Sequence, residues 1–296
     1  MIAAEATTTR RAAPRRRRIT HAQQGAWTRA LLMGIYVVVM AFPFYWMVIT
    51  AFKRDRDLYN LDTAPFWFKE APTLDHIKLL WYGTLFPTWL ENSLMIGVLV
   101  VFITLLLALP AAYALARMRF PGAQPLSTAM FLSYLIPSTL LFIPLSQVVR
   151  GLGFIDSVWA LVIVYPSFTL PFCTWLLMGF VRTVPKEIEE SAQIDGCTRF
   201  QAFRMIIIPV IVPGIITAGI FAFTLTYQEF IYALTFISAS ANKTISYGVT
   251  SDLIRGDVFY WGSLMSGALI GAIPVAIVYA FSLDHFIHGL TAGALK

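Results

Sequence analysis

The chain is predicted to fold as an all-α integral membrane protein of six transmembrane helices, with a polar helical hairpin between the fourth and the fifth. Three observations carry that prediction. Hydrophobic residues make up 58% of the sequence and charged residues only 13%, whereas a globular chain carries roughly a quarter charged. The apolar residues gather into long runs almost free of charge. The polar remainder collects in short segments, of which Arg182 to Pro209 has the most internal order.

A hydrocarbon core about 30 Å thick is crossed by about 20 apolar residues of helix. Charge-free runs of that length occur at Ala30 to Phe52, Asn92 to Ala116, Phe120 to Val149, Ser157 to Val181 and Val258 to Leu283. A sixth, Met205 to Asn242, is interrupted by Glu229. Helix satisfies every backbone group within the segment, and a barrel would need short alternating stretches instead. The runs are continuous, so helices are expected.

The lysines and arginines orient these spans. Arg10, Arg11, Arg15, Arg16, Arg17, Arg18 and Arg29 precede the first one against a lone Glu5, and such a cluster is retained in the cytoplasm. Six crossings then return the C-terminus to the same side. Fourteen basic residues fall inside and eight outside, with outer loops at Lys53 to Glu91, Arg150 to Asp156 and Lys243 to Asp257, and inner loops at Arg117 to Gly122 and Arg182 to Arg204. Residues 1–29 are expected to be a disordered, lipid-facing basic tail, and 30–296 the membrane domain. No small-residue cleavage pattern follows the first apolar run, so it reads as a retained anchor rather than a signal peptide.

Cys173 lies in a span and Cys197 in an inner loop, too far apart to pair; both read as packing residues. His21, His76, His285 and His288 form no metal-ligand spacing, and no Gly-Lys-Ser/Thr phosphate loop occurs. Any nucleotide hydrolysis is therefore expected on another polypeptide, with no catalytic residue, cofactor or metal in this one. Pro137 and Pro144 interrupt the third span, Pro166 and Pro171 the fourth, and Pro274 the sixth. Interior prolines remove a donor and kink a helix, which membranes tolerate where the helix is buried or lines a cavity. Tyr165, Ser167, Thr169 and Thr174 mark the fourth span as the better cavity candidate. Ser263, Gly267 and Gly271 recur every four residues in the sixth and read as a close-packing stripe.

The segment 182–209 can be built locally. Pro185 suits a first helical turn, and Glu187, Glu189 and Glu190 follow it at the positive end of the helix dipole. Asp195-Gly196 ends that helix, because glycine accepts the left-handed conformation just past a helix end. Thr198-Arg199-Phe200-Gln201 then fits a capping box opening a second helix that runs to Pro209. On it Phe200, Phe203 and Ile207 share a face, as Ile188 and Ala192 do on the first. Alone, such a hairpin reads rather as a solvated cytoplasmic connector whose apolar residues pack on the rest of the chain.

Its spacing is more specific. Glu190-Ser191-Ala192, three residues, Gly196, nine residues, then Ile206-Ile207-Ile208-Pro209 resembles the EAA signature of permease subunits in binding-protein-dependent ABC importers, with Ser191 for the middle alanine and Ile208 for the leucine. Tyr113-Ala114-Leu115-Ala116-Arg117 before Phe120-Pro121-Gly122, Gly153-Phe154-Ile155-Asp156-Ser157, and the ending Gly289 to Lys296 are similar to the carbohydrate branch, the MalG type of maltose permease subunit. The resemblance runs from about Ala30 to the end of the sequence. It implies a bacterial inner-membrane location and a heterodimer with a second permease of the MalF type. It also implies two ABC ATPase subunits that bind ATP and Mg, and an extracytoplasmic solute-binding protein. The hairpin would dock in an ATPase groove through Glu189, Glu190, Ala192, Asp195, Gly196, Arg199, Phe203 and Pro209. No nucleic-acid partner is implied.

Tyr227-Gln228-Glu229-Phe230 stands where that family often has a Trp-Asn pair followed by an acid, which leaves the cargo open between a sugar and a polyol, glycerol phosphate or polyamine. An ionisable group in a membrane helix is a functional candidate by default. If the fifth span begins at Val212, Glu229 lies near the outer interface; if it runs from Ile215 to Ile237, Glu229 lies within the outer half of the bilayer. Tyr165, Tyr227, Gln228, Glu229 and Tyr232 are the candidate lining of the path. A different reading, an integral-membrane transferase acting on lipid-linked sugars, would draw on Asp55, Asp57, Asp62, Glu70 and Asp75, whose interleaved basic residues look more like a docking loop.

Overall fold

Helix is the structure that an uninterrupted apolar run adopts, and interruptions decide where it stops. The computed structural model describes the backbone of residues 21–60, 62, 65–255 and 258–294, and the side chains of 28–60, 62, 65–254 and 259–282. The arginine run at 10–18, the side chains of His285 and His288, and Lys296 lie outside the described residues. Two units are distinguished, one up to Trp46 and one from Met47 onward.

The helices are α1 (His21–Phe52), α2 (Asp55–Leu58), α3 (Asp75–Gly83), α4 (Phe86–Arg117), α5 (Ala123–Tyr134), α6 (Phe142–Gly151), α7 (Val158–Val164) and α8 (Pro166–Thr183). They continue as α9 (Lys186–Ile194), α10 (Arg199–Ala202), α11 (Ile208–Val210), α12 (Val212–Tyr227), α13 (Ile231–Phe236), α14 (Ile245–Leu253) and α15 (Trp261–Ala294). A two-residue antiparallel pair, β1 (Ile254–Arg255) with β2 (Val258–Phe259), is the one strand pairing among the described residues. Helix α1 includes residues 21–29, which the sequence assigns to the tail.

Among the described residues four helices are long and apolar enough to cross a membrane, Thr28–Phe52, Phe86–Arg117, Val158–Thr183 and Trp261–Ser282. A fifth crossing is available if Arg199–Val210 and Val212–Tyr227, bent by 76°, act together. Two expected single spans are therefore broken. The third divides into α5 and α6 around Pro137, because the residue before a proline is driven out of the α region and the proline has no N–H to continue the ladder. The fifth bends at Ile211, where Pro213 in the first turn of α12 has no amide to offer back. It stops again at Gln228, leaving 16 residues in α12. By contrast Pro171 and Pro274 stay inside α8 and α15.

Helix α4 is the central strut of the second unit, packed along α8, α12 and α14. Its buried positions Ser93, Ile96, Val100, Thr104, Ala108 and Ala112 recur every three or four residues, while Val98, Phe102 and Leu106 stand exposed on another face. That division is what a span packed on one side and open on the other requires. Thr104 and Thr169 share a buried hydrogen bond of 2.7 Å between α4 and α8. On α15 the small-residue stripe packs as expected: a Cβ at Gly267 would crowd Val249 at 3.2 Å and one at Gly271 would meet Ile245 at 2.9 Å. Cys173 and Cys197 are both free thiols.

The loop before α7 is clamped to the one after α13. Asp156 holds φ 60°, its Oδ1 accepts from the amides of Ser238 at 2.9 Å and Ala239 at 2.7 Å, and Asn242 donates to its carbonyl at 2.6 Å. These amide donors hold the Asp156 carboxyl below its usual range. A depressed folded pKa stabilises the native state above the unfolded value near 4 and loses that contribution as pH falls through the folded one. Asp156→Asn, which tolerates the same φ, is expected to cost about 1 kcal/mol at pH 7, the low end for a charge-assisted bond because the site is wet. Melting curves of the detergent-purified chain from pH 7 to pH 3 check this: the gap between the two proteins should close with acidification, and a gap that stays constant would refute the carboxylate's role.

Candidate functional site

The hairpin at 186–210 forms from local signals. Pro185 is the N-cap residue of α9, and Asp195 its C-cap. Gly196 follows with φ 94°, so that Gly196 N–H reaches the Gln193 carbonyl at 3.1 Å and Cys197 N–H the Ala192 carbonyl at 2.9 Å. This doubly bonded helix end needs a residue at ease in the left-handed region. Thr198 then opens the second arm with a complete capping box: its Oγ1 accepts from Gln201 N at 3.3 Å, and Gln201 Oε1 accepts from Thr198 N at 2.8 Å. The second arm is not plain α-helix. After α10 it widens into a π-turn over Phe203–Ile207 before α11, an irregularity that commonly marks functional segments.

A buried polar joint fastens the hairpin to α4. Tyr113 and Arg117, one turn apart on α4, both face Glu189 of α9. The Tyr113 hydroxyl donates to Glu189 Oε1, and Arg117 Nε lies 3.2 Å from Glu189 Oε2. Arg117 Nη2 also donates to the Val184 carbonyl at 2.5 Å, just before α9. Glu189 is only 6% exposed. The second arm joins through an aromatic contact, with the Tyr113 and Phe203 rings 4.8 Å apart. Phe203, Ile207 and Ile211 pack there with Val181 and Val184. Beside the joint opens a cavity of about 430 Å³ lined by Arg117, Arg119, Lys186, Glu189, Glu190 and Arg199 among others.

The sequence-derived hairpin residues thus divide by exposure. Glu189, Ala192 and Phe203 face inward; Glu190, Asp195, Gly196, Arg199 and Pro209 face outward. Phe200, grouped by spacing with Phe203 and Ile207, is instead 70% exposed, and Ile194 is 85% exposed. The projecting surface is therefore Ile188, Glu190, Ile194 and Phe200, with Arg199 beside them. Tyr113 and Arg117 were not singled out by chemistry, and only their place in the Tyr-Ala-Leu-Ala-Arg stretch draws notice to them.

The second candidate cluster assembles at the break after α12. Helix α12 begins at Val212, so Glu229 sits just past its end, not within a continuous fifth span. There it caps α13: the Tyr232 amide donates to Oε1 at 3.0 Å, and the Ala233 amide to Oε2 at 3.2 Å. The Tyr165 hydroxyl donates to Oε2 at 2.9 Å, and the Tyr232 hydroxyl to the Ser138 carbonyl at 2.5 Å. Tyr165, Glu229 and Tyr232 are brought together. Tyr227 is not; its hydroxyl donates to the Gly271 carbonyl at 3.0 Å and its ring stacks on Phe223. Gln228 is exposed. Of the five acids that a transferase would draw on, Asp57 lies 4.0 Å from Lys53, Glu70 4.0 Å from Arg54 and Asp55 3.8 Å from the His76 ring. Among the described residues no group of three His, Cys, Asp or Glu could hold a metal ion.

Residues 19–291 match the model of the binding-protein-dependent transport system inner membrane component family. The chain is similar to the diacetylchitobiose uptake system permease protein DasC of Streptomyces coelicolor, at 35% identity over 88% of this chain and 94% of that one. It is also similar to the trehalose/maltose transport system permease protein MalG of Thermococcus litoralis, at 30% identity over 90% and 94%. A chain in the crystal structure of a bacterial ABC transporter that imports alginate, an acidic polysaccharide, shares the fold with a TM-score of 0.78 at 18% identity, covering 90% of this chain and 98% of that one.

Glu229→Ala deletes the acceptors for both α13 amides and for the Tyr165 hydroxyl. A lost helix cap of this kind costs about 1–2 kcal/mol, so hydrogen exchange across Ile231–Phe236 should accelerate by about tenfold or more while α12 is unaffected. Unchanged protection of α13 would show that the carboxylate does not hold it.

Proposed function

Because the chain belongs to the family of binding-protein-dependent transport system inner membrane components, we propose that it is a permease subunit of an ABC importer for a sugar or oligosaccharide. Its hairpin is the docking element for a separate ATPase. The observation that carries this reading is the hairpin's two-sided construction. One side is anchored to α4 by Glu189 and Phe203, while Ile188, Glu190, Ile194 and Phe200 project outward with no covering residue in the described chain. Apolar side chains exposed on a hairpin that is otherwise well capped fit a partner groove better than solvent.

The membrane arrangement follows the same reading. Six crossings are reached by counting α5 with α6 as the third and the bent pair ending in α12 as the fifth, with both termini and the hairpin in the cytoplasm. A second permease of related fold completes the path, two ATPase subunits bind and hydrolyse ATP with Mg, and an extracytoplasmic binding protein delivers cargo. This chain breaks no bond. Closure of the ATPases draws the hairpins together, and the interrupted helices rock between outward and inward openings. Carbohydrate cargo is supported by the names of the similar permeases, which specify diacetylchitobiose and trehalose or maltose. Of the candidate path residues, Gln228 is exposed and Glu229 half-buried, whereas the Tyr165, Tyr227 and Tyr232 rings are buried.

Co-purification of the assembly with identification of its ATPase and of the ligand held by its binding protein tests the reading directly. The hairpin's part is tested at Gly196, where space around a new Cβ is open but φ is positive. A β-branched residue there costs about 1–2 kcal/mol or more of backbone strain. Gly196→Val should abolish uptake in proteoliposomes and disconnect ATP hydrolysis from the loaded binding protein, whereas Gly196→Asn, at ease in that conformation, should retain most uptake. Equal uptake by wild type and Gly196→Val would remove the hairpin from the mechanism.

A further inference from the structure

Buried ionic groups are poor sources of stability and good markers of a position that has to be held. The joint formed by Tyr113, Arg117 and Glu189 is the buried charged cluster at the base of the hairpin, and nothing in the docking of a partner uses it. Its three members come from two segments far apart in the sequence and converge with little access to water. Tyr113 touches both arms, its hydroxyl on Glu189 of α9 and its ring on Phe203 of the second arm. Arg117 pairs with the Glu189 carboxylate of α9 and donates to the Val184 carbonyl just before that helix. Both residues ride on α4, which spans 32 residues, roughly 48 Å at the usual helical rise.

The far end of α4 is fastened as well. Trp89 Nε1 donates to the Ser240 carbonyl at 2.7 Å. Asn92 Nδ2 donates to the carbonyls of Ala241 at 2.8 Å and Lys243 at 3.0 Å. Helix α4 thus holds the hairpin at one end and the loop after α13 at the other, next to the segment that Asp156 and Glu229 also grip.

We propose that the Tyr113–Glu189–Arg117 joint fixes the hairpin rigidly to α4, so that a displacement imposed on the hairpin is carried by α4 to the loop at residues 240–243. Glu189, Arg117 and Tyr113 are positioning residues: they touch neither cargo nor nucleotide and act through the hairpin. The proposal rests on the permease reading above, since it needs a partner that moves the hairpin. Its signature differs from that of a docking residue. Loss of a docking residue detaches the ATPase, whereas loss of the joint leaves the ATPase bound and cycling but moves less cargo per ATP.

The experiment uses the full-length chain twice. In the purified chain in detergent, Glu189→Gln should raise hydrogen exchange across residues 186–196 by about tenfold or more, as expected when a buried charge pair is broken. In the reconstituted importer the same variant should retain its ATPase on purification yet import about tenfold less per ATP hydrolysed. Tyr113→Phe keeps the ring on Phe203 and removes the hydroxyl, so it should fall between wild type and Glu189→Gln, and it serves as the reporter if the latter does not fold. Unchanged exchange in 186–196 overturns the joint. Unchanged uptake per ATP with faster exchange overturns its role in transmission. A wild-type assembly that contains no ATPase overturns transmission together with the permease reading, and the exchange measurement alone then decides whether the joint exists.

Discussion

A helix interrupted inside apolar surroundings exposes amides and carbonyls that hydrocarbon cannot satisfy, so each interruption needs polar groups brought to it from elsewhere. Much of this structure is explained by how that requirement is met. The break after α12 is closed by Glu229, whose carboxylate takes the first free amides of α13. The same carboxylate receives the hydroxyl of Tyr165, the residue at the junction of α7 and α8. Tyr232, the second residue of α13, sends its hydroxyl to the Ser138 carbonyl in the break between α5 and α6. Two interruptions and the α7–α8 junction, all far apart in sequence, therefore meet in one cluster, and the same groups that repair the breaks tie these segments to one another.

That convergence gives the membrane region a mechanical character. Continuous stretches such as α4 and α8 interlock through small and apolar side chains and the Thr104–Thr169 bond, and they can move only as bodies. Where the broken helices meet, hydrogen bonds and packing act together: Tyr165, Tyr232, Ala233 and Phe236 share one buried cluster, and the Phe168 and Tyr232 rings stack. The hairpin end combines an aromatic contact, an ion pair and an apolar core of Phe203, Ile207 and Ile211, all acting on the same few residues.

What could be read from the sequence was what local chemistry decides. Pro185, the Asp195-Gly196 end and the Thr198–Gln201 box each concern groups within a few residues of one another, and each appears as expected. The apolar runs located α1, α4, the α7–α8 pair and α15 for the same reason. The third and fifth spans came out as broken because hydropathy averages over a run and does not weigh the loss of a single amide at Pro137 or Pro213. Glu229 was visible as an ionisable residue in an apolar stretch, yet its part as a cap depended on a break that the same averaging hid. Glu189 was visible as a helix-dipole carboxylate, but its partners are 72 and 76 positions away, by the numbering of Arg117 and Tyr113. No periodicity within the hairpin carries that information.

The contrast between Glu189 and Glu190 shows why this matters for function. Successive helical residues point about 100° apart, so two adjacent carboxylates on α9 cannot both face the same surroundings. One enters the joint under α4 and the other remains in solvent. Withdrawing Glu189 from water carries a desolvation penalty that the arginine and the tyrosine hydroxyl only offset, which an apolar side chain would avoid altogether. A greasy contact, however, would tolerate sliding of α9 along α4, whereas a carboxylate that accepts the Tyr113 hydroxyl and pairs with the Arg117 guanidinium resists it. For a connector that merely closes a loop, such a register has no use. For an element whose outward face must be pushed by one body while its inward face moves another, a fixed register is the requirement, and a buried carboxylate with a hydrogen bond and an ion pair is the side chain chemistry that meets it.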